Sequence, residues 1–214
     1  MPVVTGLAPD PRHPGYCLVE VDRGRFASLP AVAVAPLHLE IGRALSDDAL
    51  QRLQAAADEE AAARAALRAL SRRSYARVDL QRRLMQKQHP PAAVQRALER
   101  LAAQGLLDDR QYAEHFAATR AARGRGPARL VSDLIHQGVE RRLAQEAVQA
   151  TLAAEGIDPG TAVRGVAARR AAQLGDLPPA VKRRRLLAYL ARRGYEGHVV
   201  RTVVEEVVTL YSSG

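Results

Sequence analysis

The chain is poor in the residues from which most reactive sites are built. Its one cysteine, Cys17, excludes an internal disulfide and any cysteine-ligated zinc site. Tryptophan is absent, and aromatic residues make up only 4% of the 214 positions. The six histidines (His13, His38, His89, His115, His136 and His198) show no close ligand spacing. There is no GxxxxGK[ST], no GxGxxG following a strand and no HExxH. No catalytic residue, metal or cofactor is therefore expected. No window approaches the roughly 18 uninterrupted apolar residues of a membrane helix. The opening MPVVTGLAPDPRHPG has no charged segment leading into an apolar one, as a secretion signal would. A soluble cytoplasmic protein without a membrane partner is the expectation.

Lysine is also nearly missing, and this leads to what the chain does contain. Of 32 basic residues only Lys87 and Lys182 are lysine, so arginine carries almost all of a net charge of +9. Arginine forms bidentate contacts with phosphate and carboxylate and sheds water more readily than lysine. The charge is uneven: residues 1–60 hold 5 basic and 9 acidic side chains, whereas 61–214 hold 27 and 14. A polyanionic partner for the C-terminal part fits this balance, as does a solvated surface. Aliphatic residues dominate the apolar 47%, which favours closely packed helices.

Two regimes follow one another along the chain. In the first, Tyr16–Val21, a turn at Asp22-Arg23-Gly24 and Arg25–Leu29 predict a β-hairpin. The AVAVA run between Pro30 and Pro36 reads as a short edge strand or an extended link. From Ser46, a plausible N-cap followed by Asp47 and Asp48, everything becomes helical. The stretch to Ser71 is one long helix or two meeting near Asp58. The helical part then repeats itself. Leu80 and Leu84 are matched by Leu130 and Leu134, and again by Leu186 and Leu190. Gly138 and Gly194 follow the later pairs as helix C-caps, and each pair lies between two further apolar helices. The expected architecture is mainly α: an elongated, curved array of three tandem three-helix repeats after a small N-terminal β-hairpin. Its segments are 1–45, 46–107, 108–158 and 159–214, and the six leucines should be buried.

Several smaller signals point to structure as readily as to chemistry. His136 suits a helix-end cation, and Asp108-Asp109 suits an N-cap better than a metal pair. Gly124-Arg-Gly-Pro127 reads equally as a phosphate cradle or as a tight turn with proline opening a helix. The helices after Gly138 and Gly194 are not strongly basic, which argues against base readout by a recognition helix. The basic residues precede those turns. Contact with phosphate or with a filament is therefore expected from Arg72, Arg73, Arg77, Arg82, Arg83, Lys182, Arg183, Arg184, Arg185, Arg192 and Arg193. Within Lys182–Arg185, helical geometry places Arg184 and Arg185 beside the leucine-lined side and Lys182 among the more exposed positions.

The stretch GLLDDRQYAEHFAATRAARGRGPARLVSDLIHQGV, residues 105–139, resembles the middle repeat of the RecX regulatory proteins. Asp108, Asp109, Tyr112, Ala113, Arg120, Gly126, Pro127, Asp133, Leu134 and Gly138 follow that family's pattern in order. Gln137 departs from it where a basic residue is usual, and Asp79 and Asp133 stand where glutamate is common. The resemblance implies a non-catalytic protein that binds the RecA recombinase and its filament on single- or double-stranded DNA; a monomer is expected. It further implies restraint of RecA ATPase, filament growth and strand exchange in recombinational repair and the SOS response. Arg120, Arg123, Arg125 and Arg129, in a middle repeat of near-zero net charge, become candidates for RecA contact. A sequence-specific DNA-binding regulator and a structural adaptor solenoid are the alternatives.

Overall fold

The computed structural model describes residues 1–211. Three antiparallel strands open the chain: β1 (Val4–Pro9), β2 (Tyr16–Val21) and β3 (Gly24–Pro30), in the order β1-β2-β3. The hairpin expected from the sequence is β2–β3. Its turn puts both Asp22 (φ 51°) and Arg23 (φ 63°) in the left-handed region, as a two-residue turn matched to the strand twist requires. β1 was not anticipated, because VTGLAP carries both a glycine and a proline. It pairs with β2 through Leu7 opposite Val19. Val4, Val19 and Leu29 bury one face of the sheet together with Val34, Leu45 and Leu53.

The AVAVA run is helical, contrary to both readings of it. Ala31–Val34 forms a single turn, α1, and Ala35–Leu37 continues it as a 3-10 turn. Two prolines do not prevent this, since Pro30 lies just before the first turn and Pro36 sits in the first turn of the 3-10 segment, where no intrahelical N–H is needed. The gain is burial of Val34.

Nine longer helices follow: α2 (Asp47–Leu70), α3 (Arg77–Gln86), α4 (Pro91–Ala103), α5 (Asp109–Ala121), α6 (Pro127–His136), α7 (Arg141–Ala154), α8 (Pro159–Ala172), α9 (Pro179–Arg192) and α10 (His198–Leu210). α2 is one uninterrupted helix through Asp58, capped by the Ser46 hydroxyl, which accepts from the Ala49 N–H at 3.2 Å. Asp108 and Asp158 cap α5 and α8 in the same way, so Asp108 has the capping role. The six leucines of α3, α6 and α9 are all at most 1% exposed. Three three-helix repeats thus stand in tandem behind the small sheet.

Two compact units result. One comprises Met1–Ser74 and Leu80–Leu107, the other Tyr75–Asp79 and the chain from Asp108 onward. In the first unit, Glu60 on α2 is 4% exposed yet fully engaged. It accepts from Arg64 at 2.8 Å, Arg100 at 2.9 Å and the Tyr16 hydroxyl at 3.1 Å, which joins sheet to helices. Burial and the neighbouring carboxylate push the Tyr16 hydroxyl above its usual pKa. In the second unit, Ala76 lies in one core with Phe116, Leu130 and Leu134, and the Arg77 N–H donates to Asp109 at 2.7 Å.

Glycine is required at two helix ends here. Gly138 (φ 91°) and Gly194 (φ 82°) are left-handed, and each is also crowded. A Cβ on Gly138 would overlap Val78, and one on Gly194 would overlap the Arg129 backbone. The corresponding position after α3 is Gln88, also left-handed at φ 66°.

Candidate nucleic-acid and protein interface

Of the eleven residues expected to meet phosphate, eight are exposed, Arg77 and Arg193 are half-buried, and Lys182 is buried. In the first unit Arg72, Arg73, Arg82 and Arg83 are exposed, the last two on α3 away from Leu80 and Leu84. Arg77 belongs to the second unit and is half-buried.

Lys182 is the correction. It is 4% exposed, and its Nζ donates to the Tyr211 carbonyl at 2.6 Å. Lys182, Leu186 and Leu190 are spaced i, i+4, i+8, which puts all three on one helical face. The stem therefore follows the leucines inward, and the ammonium caps the negative end of α10. Lys182 cannot meet a phosphate while it holds this place. Of its neighbours, Arg183 pairs with Glu205 at 2.6 Å. Arg184, Arg185 and Arg192 are exposed and have no ion pair or hydrogen-bond partner among the described residues.

The arginines of the middle repeat are more constrained. Asp133 receives two of them, Arg125 and Arg129, the latter at 2.9 Å. The Arg120 guanidinium lies 3.7 Å from the centre of the Phe116 ring, a cation–π distance. Arg123 is exposed. Gln137, where the sequence departs from a basic residue, accepts from the Tyr112 hydroxyl and donates to the Asp133 carbonyl.

The turn Gly124–Pro127 is a packing device. The Gly126 N–H donates to the Arg193 carbonyl at 2.7 Å and the Ala128 N–H to the Gly194 carbonyl at 3.2 Å. With those amides committed, the phosphate-cradle reading falls and the tight turn stands. Arg193 adds to the joint: its guanidinium donates to the Arg123 and Gly124 carbonyls at 3.3 and 3.2 Å and lies 4.9 Å from the Tyr189 ring centre. Arg193, assigned to phosphate contact, and Arg123, assigned to protein contact, are thus neighbours.

Sequence reading missed a hollow of about 420 Å³ in the second unit, lined by Pro127, Ala128, Val163, Tyr195, Val199 and Val200 together with the acidic Asp158 and Glu196. The Asp158 carboxylate accepts from the Thr161 N–H and hydroxyl, which lower its pKa from the usual carboxylate value. Only Gly160, where Arg110 stands in the preceding repeat, hinted at the space.

No described helix is long and apolar enough to cross a membrane, and no described group of His, Cys, Asp or Glu could hold a metal ion. Helical repeats, capped and fixed by glycine turns, define a tandem helical-repeat protein. Family models for the first, second and third three-helix domains of RecX match residues 62–101, 108–148 and 161–204. The regulatory protein RecX of Halorhodospira halophila is 37% identical over 150 residues, 69% of this chain and 89% of the relative. That of Pseudomonas syringae pv. tomato is 36% identical over 133 residues, 62% and 82%. A crystal structure of a regulatory protein RecX has the same fold, with a TM-score of 0.73, 18% identity and coverage of 97% of this chain and 98% of that one. RecX from Lactobacillus salivarius gives a TM-score of 0.58 at 19% identity over 70% of this chain and 96% of that one. The chain belongs to the RecX family of regulatory proteins.

Proposed function

We propose that this protein is a non-catalytic regulator of the RecA recombinase, acting in the cytoplasm as a monomer. It binds RecA and the RecA–DNA filament and restrains ATP hydrolysis, filament growth and strand exchange, and so tunes recombinational repair and the SOS response. Family membership supports the partner. The observation that carries the DNA part is the set of unpaired, exposed guanidinium groups at Arg184, Arg185 and Arg192, which suit the phosphates of single- or double-stranded DNA. Arg72, Arg73, Arg82 and Arg83 extend the phosphate contact on the first unit. The middle repeat faces RecA through Arg120, Arg123, Arg125 and Arg129. Asp133 already neutralises part of the charge of Arg125 and Arg129, which leaves those two better suited to oriented contacts with protein than to a phosphate backbone. The test is RecA ATPase rate and filament length on single-stranded DNA with and without the protein. Lower ATPase and shorter filaments are expected, and unchanged values in both would overturn the proposal.

A further inference from the structure

We infer that the hollow bounded by α6, α8 and α10 receives an arginine side chain from a partner protein. Its lining is mainly apolar, and the two charged residues in it, Asp158 and Glu196, are both acidic in a chain of net charge +9. Two carboxylates beside an apolar lining disfavour phosphate and suit a cationic side chain with an aliphatic stem, which among protein side chains fits arginine. The molecule itself shows which side chain fits. Two residues after its cap Asp108, α5 carries Arg110, which reaches α7 and meets Glu146 at 3.1 Å, one turn from the half-buried Leu143. Two residues after its cap Asp158, α8 carries Gly160, and the residues matching Leu143 and Glu146 are Val199 and Thr202. In the first unit, Glu59 on α2 and Arg96 on α4 make the analogous bridge with the charges exchanged, at 3.0 Å. The third repeat lacks this bridge at Gly160, and Val199 is left 54% exposed.

The space is therefore that of a missing arginine: an aliphatic stem would cover Val199 and a guanidinium would meet Glu196 or Asp158. Glycine here is not demanded by the backbone. Gly160 is not left-handed, and a Cβ on it would meet the nearest Val199 methyl at an ordinary 3.6 Å and Asp158 Oδ2 at 3.1 Å. The inference stands whether or not the arginine surfaces contact DNA.

The test is methyl and amide NMR of the full chain titrated with N-acetyl-L-arginine methylamide. Saturable shifts at Gly160, Val199 and Val200 are expected. The neutral isostere N-acetyl-citrulline methylamide should bind about two- to fivefold more weakly, the worth of an exposed charge pair. The double variant Gly160→Arg/Thr202→Glu rebuilds the bridge of the preceding repeat, should fold as the wild type does, and should lose the response. Equal binding of the citrulline probe, shifts that persist in the double variant, or no saturation would each overturn the inference. So would stronger shifts at Val199 from a short oligonucleotide than from the arginine probe.

Discussion

At the scale of single residues, position on a helical face outweighs formal charge. Lys182 is basic and sits in the densest basic run of the chain, yet the i, i+4, i+8 spacing with two buried leucines takes it into the core. Lys182→Ala should cost about 2 kcal/mol, from a lost stem and an uncapped Tyr211 carbonyl, read as a lower urea midpoint. Replacing all of Lys182–Arg185 would therefore confound folding with binding. Gly194→Ala should destabilise by more than about 1 kcal/mol, since a left-handed residue also gains a clash with Arg129. Gln88→Gly, at the matching turn after α3, should stabilise by about 0.5 kcal/mol, the left-handed cost less the added freedom of the unfolded chain. Both are checked by denaturant midpoints. Asp10 predicts a pH effect. Its side chain accepts from the Ser28 hydroxyl at 2.5 Å, the Arg12 N–H at 2.9 Å and His13 at 3.0 Å, which holds the carboxyl well below its usual 3.8. A depressed folded-state pKa adds stability above about pH 3.8 that is lost as pH falls further. The urea-midpoint difference between wild type and Asp10→Asn should be full at pH 7 and shrink below pH 3.8.

At the scale of elements, the helices were legible where apolar spacing was strong and caps were chemically distinct. The paired leucines placed α3, α6 and α9, and Ser46 and Asp108 marked true N-caps. β1 and α1 were not legible: glycine and proline interrupt VTGLAP, and the alternation of AVAVA suggests a strand where a helical turn forms, with burial of Val4 and Val34 deciding both. The start of α9 was hidden for a related reason: Pro178 and Pro179 give no side-chain cap, and the helix begins a full turn earlier than α3 or α6 relative to their leucines. The surface that α9 does present is testable. Changing Arg184, Arg185 and Arg192 together to glutamine keeps helix propensity nearly constant. Each lost phosphate contact should flatten the dependence of log affinity on log salt by about 0.7 to 0.9 units, so a drop of about two is expected for single-stranded DNA. RecA restraint should fall less. An unchanged slope in the folded variant would leave these residues as solvated charge.

At the scale of the whole chain, core membership departs from chain order. Ala76 precedes α3 but is packed with Phe116 and Leu134 in the second unit. Ala76→Asp, which buries an unpaired carboxyl, should speed hydrogen exchange in α5 and α6 by orders of magnitude while β1–β3 stay protected. Equal loss of protection in both places would show that the two units unfold as one. The candidate surfaces were legible as composition but not as geometry: arginine richness was plain, whereas the Asp133 clasp, the Arg193 joint and the acidic hollow depend on side chains that only the folded chain brings together. The extra turn of α9 also bears on how such chains lengthen. In α6, the Gly126 amide is open to the next repeat and donates to the Arg193 carbonyl, but its counterpart at Lys182 donates to Pro178 within α9 itself. A duplicated fourth repeat would find that donor already used, so a gene encoding one would need to lose residues 178–181, which frees the Lys182 amide at the helix start, before the added segment could join as the third joins the second.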